Sequence, residues 1–298
     1  MVMDTQNNTS KIITIPADLK GEYPFDSHFL PIENNILHYV DVGSGQTILM
    51  LHGNPTWSFF YRNLAKHFSK DFRVVVPDHM GCGLSSRPQD YEYTLKTHID
   101  NLCLLVDKLN LSDITLVVHD WGGAIGMGLA TRYPHLIKKM VVMNTAAFRS
   151  IEIPARINIL KNPIGQWFIR SFNGFAGPAT FMATTKGLSP LIKKGFTLPY
   201  HDYESRIATA KFVQDIPMND THPTYQTLKE IEEKLPTIKA PVLLLWGEKD
   251  FCFTMNFQKR WLNIFPNAKS ITYPEAGHYL IEDEKSAVIS EIEKFLKE

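Results

Sequence analysis

The sequence predicts an α/β fold: a mostly parallel sheet with helices on both faces and one long helical insertion. Three observations carry this expectation. Short apolar runs rich in β-branched residues recur along the chain, helical patterns separate them, and the alternation stops between Asn144 and Pro241.

The elements follow in order. Residues 35–42 alternate and read as a strand, while TILMLH at 47–52 is a continuous apolar run of the kind buried on both faces of a sheet. RVVVPD at 73–78, ITLVVHD at 114–120, KMVVMN at 139–144, PVLLLWG at 241–247 and SITYP at 270–274 repeat that character. Helical spacing is clearest over 93–109, 123–133, 255–264 and 283–296, the last of these being the charged, exposed kind. Residues 148–227 carry helical patterns, Pro and Gly punctuation and scattered aromatics without a convincing buried strand. They are expected to form a helical cap inserted in a core domain made of 1–147 and 228–298. Ligands of open parallel sheets bind outside the carboxyl ends of the strands, so a cap there would roof the site.

Composition narrows the function classes. The 298 residues are 44% hydrophobic, enough for a sizeable core, and Lys plus Arg equals Asp plus Glu at 31 each. With no basic surplus over the whole chain, nucleic acid and an anionic leaflet are not expected partners. Cys82, Cys103 and Cys252 lie far apart without CxxC spacing, which argues against a disulfide framework or zinc site and for a reducing cytoplasm. Polar residues break every apolar stretch of the first thirty residues, so no export signal is expected. No apolar run approaches the roughly 20 residues that span a bilayer, and nothing repeats at a fixed period. A monomer or small homo-oligomer is expected.

The chemistry-bearing residues fall at strand ends. Val118-His119-Asp120-Trp121-Gly122-Gly123 follows a buried strand and opens a helix, the place of a nucleophile elbow, here carrying an acid instead of Ser. An isolated Asp before a helix reads first as an N-cap, and the surrounding motif reverses that preference. His52-Gly53-Asn54-Pro55-Thr56-Trp57 ends an earlier strand, where a loop can supply an oxyanion-hole N–H, although Gly-Asn-Pro is also a common turn. Asp250 stands just past one buried strand and His278 just past the final one. Each alone reads as a turn or surface residue; the chain order nucleophile, acid, histidine at successive strand ends is what joins them.

These segments resemble the α/β-hydrolase superfamily and, more closely, its haloalkane dehalogenase family, over about Phe29 to Leu296. HGNPTWSFFYRNL, DHMGCGLSSRP, HDWGGAIG, WGEKDFCF and EAGHYLIEDE carry the resemblance. It implies an α/β-hydrolase fold with an eight-stranded, mostly parallel sheet and a helical cap. It implies Asp120 as nucleophile, His278 as base, Asp250 as the acid that orients it, and Asn54 with Trp121 as the halide-binding pair. One branch places the acid after the preceding strand, but Asn144-Thr145-Ala146-Ala147-Phe148 offers no carboxylate there. The implied reaction displaces a halide from a small hydrophobic substrate, forms an alkyl ester on Asp120, and hydrolyses it with water as co-substrate activated by His278. No metal or organic cofactor is needed.

Other readings stand beside it. HGNPTWSFFYRNL, NTAAF at 144–148 and FVQDIPM at 212–218 look especially like the β-lactone decarboxylases of bacterial olefin biosynthesis, which release an alkene and carbon dioxide. Epoxide hydrolysis would call on cap tyrosines such as Tyr200, Tyr203 or Tyr225. A non-catalytic receptor on the same fold is a further class. Trp167, Phe168, Phe172, Phe175, Phe181 and Phe196 either line an apolar pocket or form the core of the cap. His119 is expected to pack or hydrogen-bond behind the elbow, and Cys82 to have no catalytic role.

Overall fold

The computed structural model describes residues 13–298, so the start of the N-terminal segment that was expected to lack an export signal lies outside the described residues. Eight strands form one sheet in the order β1-β2-β4-β3-β5-β6-β7-β8. They are His28–Ile32 (β1), Asn35–Val42 (β2), Thr47–Leu51 (β3), Arg73–Pro77 (β4), Ile114–His119 (β5), Ile137–Met143 (β6), Val242–Gly247 (β7) and Lys269–Tyr273 (β8). β2 pairs antiparallel with both β1 and β4, and every other pairing is parallel. Strand β1 is the one that no sequence pattern marked. It is mostly exposed and carries Pro31, which lacks the N–H a central strand needs and is tolerated at an edge.

The continuous apolar runs become central strands because both faces of the sheet are covered. In β5 all six residues are buried; Leu116 and Val118 join one hydrophobic cluster while Val117 joins the other. β3 divides in the same way, Leu49 and Leu51 to one side and Ile48 and Met50 to the other. Each such side chain withdrawn from water contributes roughly 1.5–3 kcal/mol, and a slip of one residue would exchange the two faces.

The helix Trp121–Arg132 lies close on β3 and β5 because small residues face the sheet. A Cβ at Gly122 would collide with the Leu51 carbonyl oxygen, and one at Gly126 would meet the Val118 and Leu51 side chains. The helices Leu95–Lys108 and Met255–Ile264 lie where their periodicity predicted, the first with the Thr94 side chain accepting from the Thr97 N–H as an N-cap. The last charged stretch divides into Leu280–Asp283 and Lys285–Lys297.

Between β6 and β7 the chain forms the helices Ala155–Asn158, Pro163–Phe172, Ala176–Met182, Pro190–Thr197, Ile207–Gln214 and Pro223–Lys234. The last of these packs on Leu95–Lys108 and Trp121–Arg132, so it belongs to the helical layer over the sheet, and the expected boundary at 227/228 falls within it. Among the described residues no helix is long and apolar enough to cross a membrane.

Candidate active site

The carboxyl ends of β3, β5, β6, β7 and β8 converge on one cleft. Asp120 ends β5 and enters the following helix with φ 50° and ψ −130°, a left-handed conformation that a non-glycine residue adopts only under constraint. The constraint is visible. Its N–H donates to the Asn144 carbonyl at 3.2 Å, while its own carbonyl accepts from the Gly123 N–H at 2.9 Å and from the Thr145 hydroxyl. Gly53 and Gly123 leave the room this bend needs, because a Cβ on Gly53 would overlap the Asp120 carboxylate and one on Gly123 would overlap the Thr145 side chain.

The two carboxylate oxygens of Asp120 face different partners. Oδ1 accepts from the Asn54 backbone N–H at 2.6 Å, and the Trp121 N–H also bonds the carboxylate. Oδ2 lies 3.7 Å from His278 Nε2. One oxygen is thus held by the Asn54 backbone donor in the manner of an oxyanion hole, and the other is turned toward the imidazole. Burial is the largest influence on this carboxyl and raises its pKa above the ordinary value against the opposing pull of His278 and the two N–H groups.

His278 is fixed from behind. Its Nδ1 lies 2.8 Å from Asp250 Oδ2, so Nδ1 carries the proton and leaves Nε2 toward Asp120. Burial opposes the imidazolium, but the Asp250 charge and hydrogen bond together with the Asp120 charge outweigh it, and the pKa is raised. Asp250 is itself saturated: Oδ1 accepts from the Cys252 and Phe253 N–H groups at 2.6 and 3.1 Å, and Oδ2 accepts from Asn144 Nδ2 at 2.9 Å. The structure therefore brings Asp120, Asp250 and His278 into one connected line.

Three residues that sequence reasoning did not place in the catalytic line support it. Asn144 occupies the strand end where the alternative acid would stand; its amide spans Asp250 and the Gly247 peptide, with Oδ1 accepting from the Gly247 N–H at 2.9 Å. His119 packs beside the His278 ring and donates from Nε2 to the His278 carbonyl at 2.8 Å, the behind-the-elbow place expected of it. His52 accepts the His79 N–H on Nε2, so its protonated Nδ1 donates to the Gly53 carbonyl at 2.8 Å and pins the turn that carries Asn54. Sequence signals existed for His52, which opens the HGNP turn, and for His119, which precedes Asp120 at the elbow, but not for Asn144.

Asn54 and Trp121 both face a largely apolar cavity of about 380 Å³ that also reaches Asp120, His278, Phe168 and Met182. One Asn54 amide N–H is already donated to the Thr209 carbonyl at 3.1 Å, which leaves the second. The Trp121 indole is half-buried against Phe212, and among the described residues its N–H has no acceptor. Of the six cap aromatics, Phe168 and Phe175 line the cavity, Phe196 is buried against Phe59 and Tyr279, and Trp167, Phe172 and Phe181 lie on the surface. Tyr200, Tyr203 and Tyr225 do not line the cavity: the Tyr200 hydroxyl donates to the Thr56 carbonyl, Arg170 covers the Tyr203 ring, and Tyr225 bonds Arg149. The cap tyrosines named for epoxide opening therefore stand away from the cavity. Cys82 is buried, which pushes its thiol up to about 12 and keeps it protonated. Among the described residues no group of three or more His, Cys, Asp or Glu side chains is arranged to hold a metal ion.

Residues 46–285 match the family model described as the alpha/beta hydrolase fold. The chain belongs to the α/β-hydrolase family. Within it, a Shewanella oneidensis protein named cis-3-alkyl-4-alkyloxetan-2-one decarboxylase is 42% identical, covering 92% of this chain and 89% of its own. A Mycobacterium tuberculosis protein named haloalkane dehalogenase 2 is 30% identical over 91% of this chain and 94% of its own. Among solved structures, a haloalkane dehalogenase of Agrobacterium tumefaciens superposes with a TM-score of 0.82 at 25% identity, covering 91% of this chain and 96% of its own. The expected α/β-hydrolase fold and its eight-stranded sheet are thus both found.

Proposed function

We propose that this chain is a β-lactone decarboxylase, an enzyme that converts a cis-oxetan-2-one with alkyl groups on ring carbons 3 and 4 into an alkene and carbon dioxide. The observation that carries this choice is the 42% identity, over 92% of the chain, to a protein named for that reaction. Sequence reasoning ranked halide displacement first, and this likeness reverses the ranking. The apolar cavity over Asp120 suits a substrate with two hydrocarbon chains.

The steps balance without water. Asp120 Oδ2 attacks ring carbon 4 from the face opposite the ring oxygen; the carbon–oxygen bond breaks, and its electrons leave on the ring carboxylate. The spare amide N–H of Asn54 and the indole N–H of Trp121 stabilise that carboxylate as charge develops on it, a task for which one donor is typically worth 10²–10³ in rate. The bond from carbon 3 to the carboxylate carbon then breaks, its electrons form the double bond, and Asp120 departs with the electrons of the ester bond. His278, paired with Asp250, offsets the charge returning to Asp120. The helices from Ala155 to Gln214 act as the cap that keeps this chemistry dry.

Halide displacement is the second reading, favoured by the two donors beside Asp120 on the cavity wall. One preparation tests both. A dialkyl β-lactone is expected to give alkene and carbon dioxide, with no turnover in Asp120→Ala, while brominated alkanes give little halide. Halide release without alkene would reassign the chain to the dehalogenases, and neither product, with tight binding of an apolar ligand, would make it a receptor.

A further inference from the structure

The helix Pro163–Phe172 turns the wrong side outward for a soluble surface. Ile164, Trp167, Phe168 and Phe172, spaced as one helical face, are 77%, 54%, 44% and 63% exposed, while the adjoining side buries Gly165 and Ile169. Phe181, on the helix Ala176–Met182, adds a further ring that is 68% exposed. Single exposed apolar residues are ordinary, but a contiguous face of this kind marks an interaction site.

Charge identifies the occupant. The chain as a whole is neutral, yet residues 151–200 hold six basic residues and one acid, Glu152. Lys186 and Lys194 are matched by Glu284 and Asp18. Among the described residues no carboxylate makes an ion pair with Arg156, Lys161, Arg170 or Lys193. Lys193 lies over the Phe181 ring itself. Exposed aromatic and aliphatic side chains flanked, on the neighbouring cap segments, by cations that no carboxylate neutralises fit a surface lying in the interface of an anionic bilayer. The face is also continuous with the site, because Phe168 and Met182 are both partly exposed and both line the cavity.

We propose that the face formed by Ile164, Trp167, Phe172 and Phe181, with the basic residues around it, docks on an anionic phospholipid surface and sets the cavity mouth against the bilayer. Delivery of a lipid-dissolved substrate through that mouth rests on the β-lactone reading; the docking does not.

Co-sedimentation of the full chain with vesicles tests the docking. Binding to phosphatidylglycerol mixed with phosphatidylcholine is expected to exceed binding to phosphatidylcholine alone by about tenfold or more, and to weaken at high salt. The double variant Trp167→Glu/Phe172→Glu is expected to lose about tenfold in binding while retaining cooperative unfolding and turnover of a short, water-soluble lactone. Lys193→Glu is expected to lose binding to the mixed vesicles only, and Asp120→Asn to bind as the wild type does. Absence of vesicle binding, equal binding to both vesicle types, or full binding by the double variant would overturn the proposal. So would sedimentation velocity showing a reversible dimer that the double variant dissolves, with no vesicle binding, since that assigns the face to a second copy. Vesicle binding without lactone turnover would leave the docking standing and remove the catalytic reading.

Discussion

Asn144 Nδ2 donates to the same Asp250 oxygen, at 2.9 Å, that receives His278 Nδ1 at 2.8 Å. The amide shares the carboxylate with the imidazole and fixes its plane, because its Oδ1 is tied in turn to the Gly247 N–H. Asn144→Ala removes one of the two donors to a buried oxygen and leaves the buried Gly247 N–H without its side-chain acceptor. It is expected to lower unfolding free energy by about 1–3 kcal/mol, measured by urea denaturation. A purely structural loss would stop there. With one donor fewer, Asp250 holds the imidazolium more strongly, so the pH profile of turnover is expected to move upward as well.

Gly53→Ala addresses the approach of two chain segments. The added methyl would occupy the space of the Asp120 carboxylate, and the Asn54 N–H that bonds it would be displaced. Turnover is expected to fall by roughly 10²-fold or more, since a misplacement of about 1 Å at a reacting group has that effect. Substrate dissociation constants, measured in an Asp120→Asn background with and without the Gly53 change, are expected to differ far less.

The order of buried strands and the residues at their ends were legible because continuous apolar runs and Gly-rich bends are local signals. The supporting shell was not. Asn144 is a short polar residue after a strand, and nothing in its neighbours announces that Asp250, from another strand, will need its amide. The outward face of the helix Pro163–Phe172 was illegible for a different reason. Apolar residues at 164, 167, 168 and 172 are what a buried helix face looks like, and only the packing of Gly165 and Ile169 inward shows which side met the protein.

Asp215 offers a test of stability independent of the reaction. Burial raises its carboxyl to about 6 from 3.8 despite bonds from the Leu95 N–H and the Thr224 hydroxyl. Since the folded state binds this proton more tightly than the unfolded chain, its contribution is complete below 3.8 and is lost as pH rises through about 6. At about 1.36 kcal/mol per pKa unit the loss amounts to up to about 3 kcal/mol. Asp215→Asn keeps an acceptor for the Leu95 N–H and removes the charge. The difference between the two urea-unfolding profiles is expected to grow in favour of the variant from pH 4 to pH 7 and then level off.

The two catalytic readings part at His278. Hydrolysis of an alkyl ester needs an imidazole to activate water, a contribution of typically 10²–10⁴ in rate, whereas the decarboxylation consumes no water and regenerates Asp120 by departure of the alkene. In His278→Phe, a bromoalkane that reacts is therefore expected to stop at one equivalent, with the alkyl mass retained on Asp120 in the intact protein. A dialkyl β-lactone is expected to go on turning over slowly without an accumulated adduct, since only the charge opposite Asp120 has been removed. The wild type extends the argument through pH. The raised pKa of His278 means that the cationic ring persists above the ordinary imidazole value, so alkene release is expected to decline as pH climbs through that pKa, while ester hydrolysis would increase over the same range. A stoichiometric adduct from the lactone in His278→Phe, or alkene release that rises with pH, would contradict the water-free route.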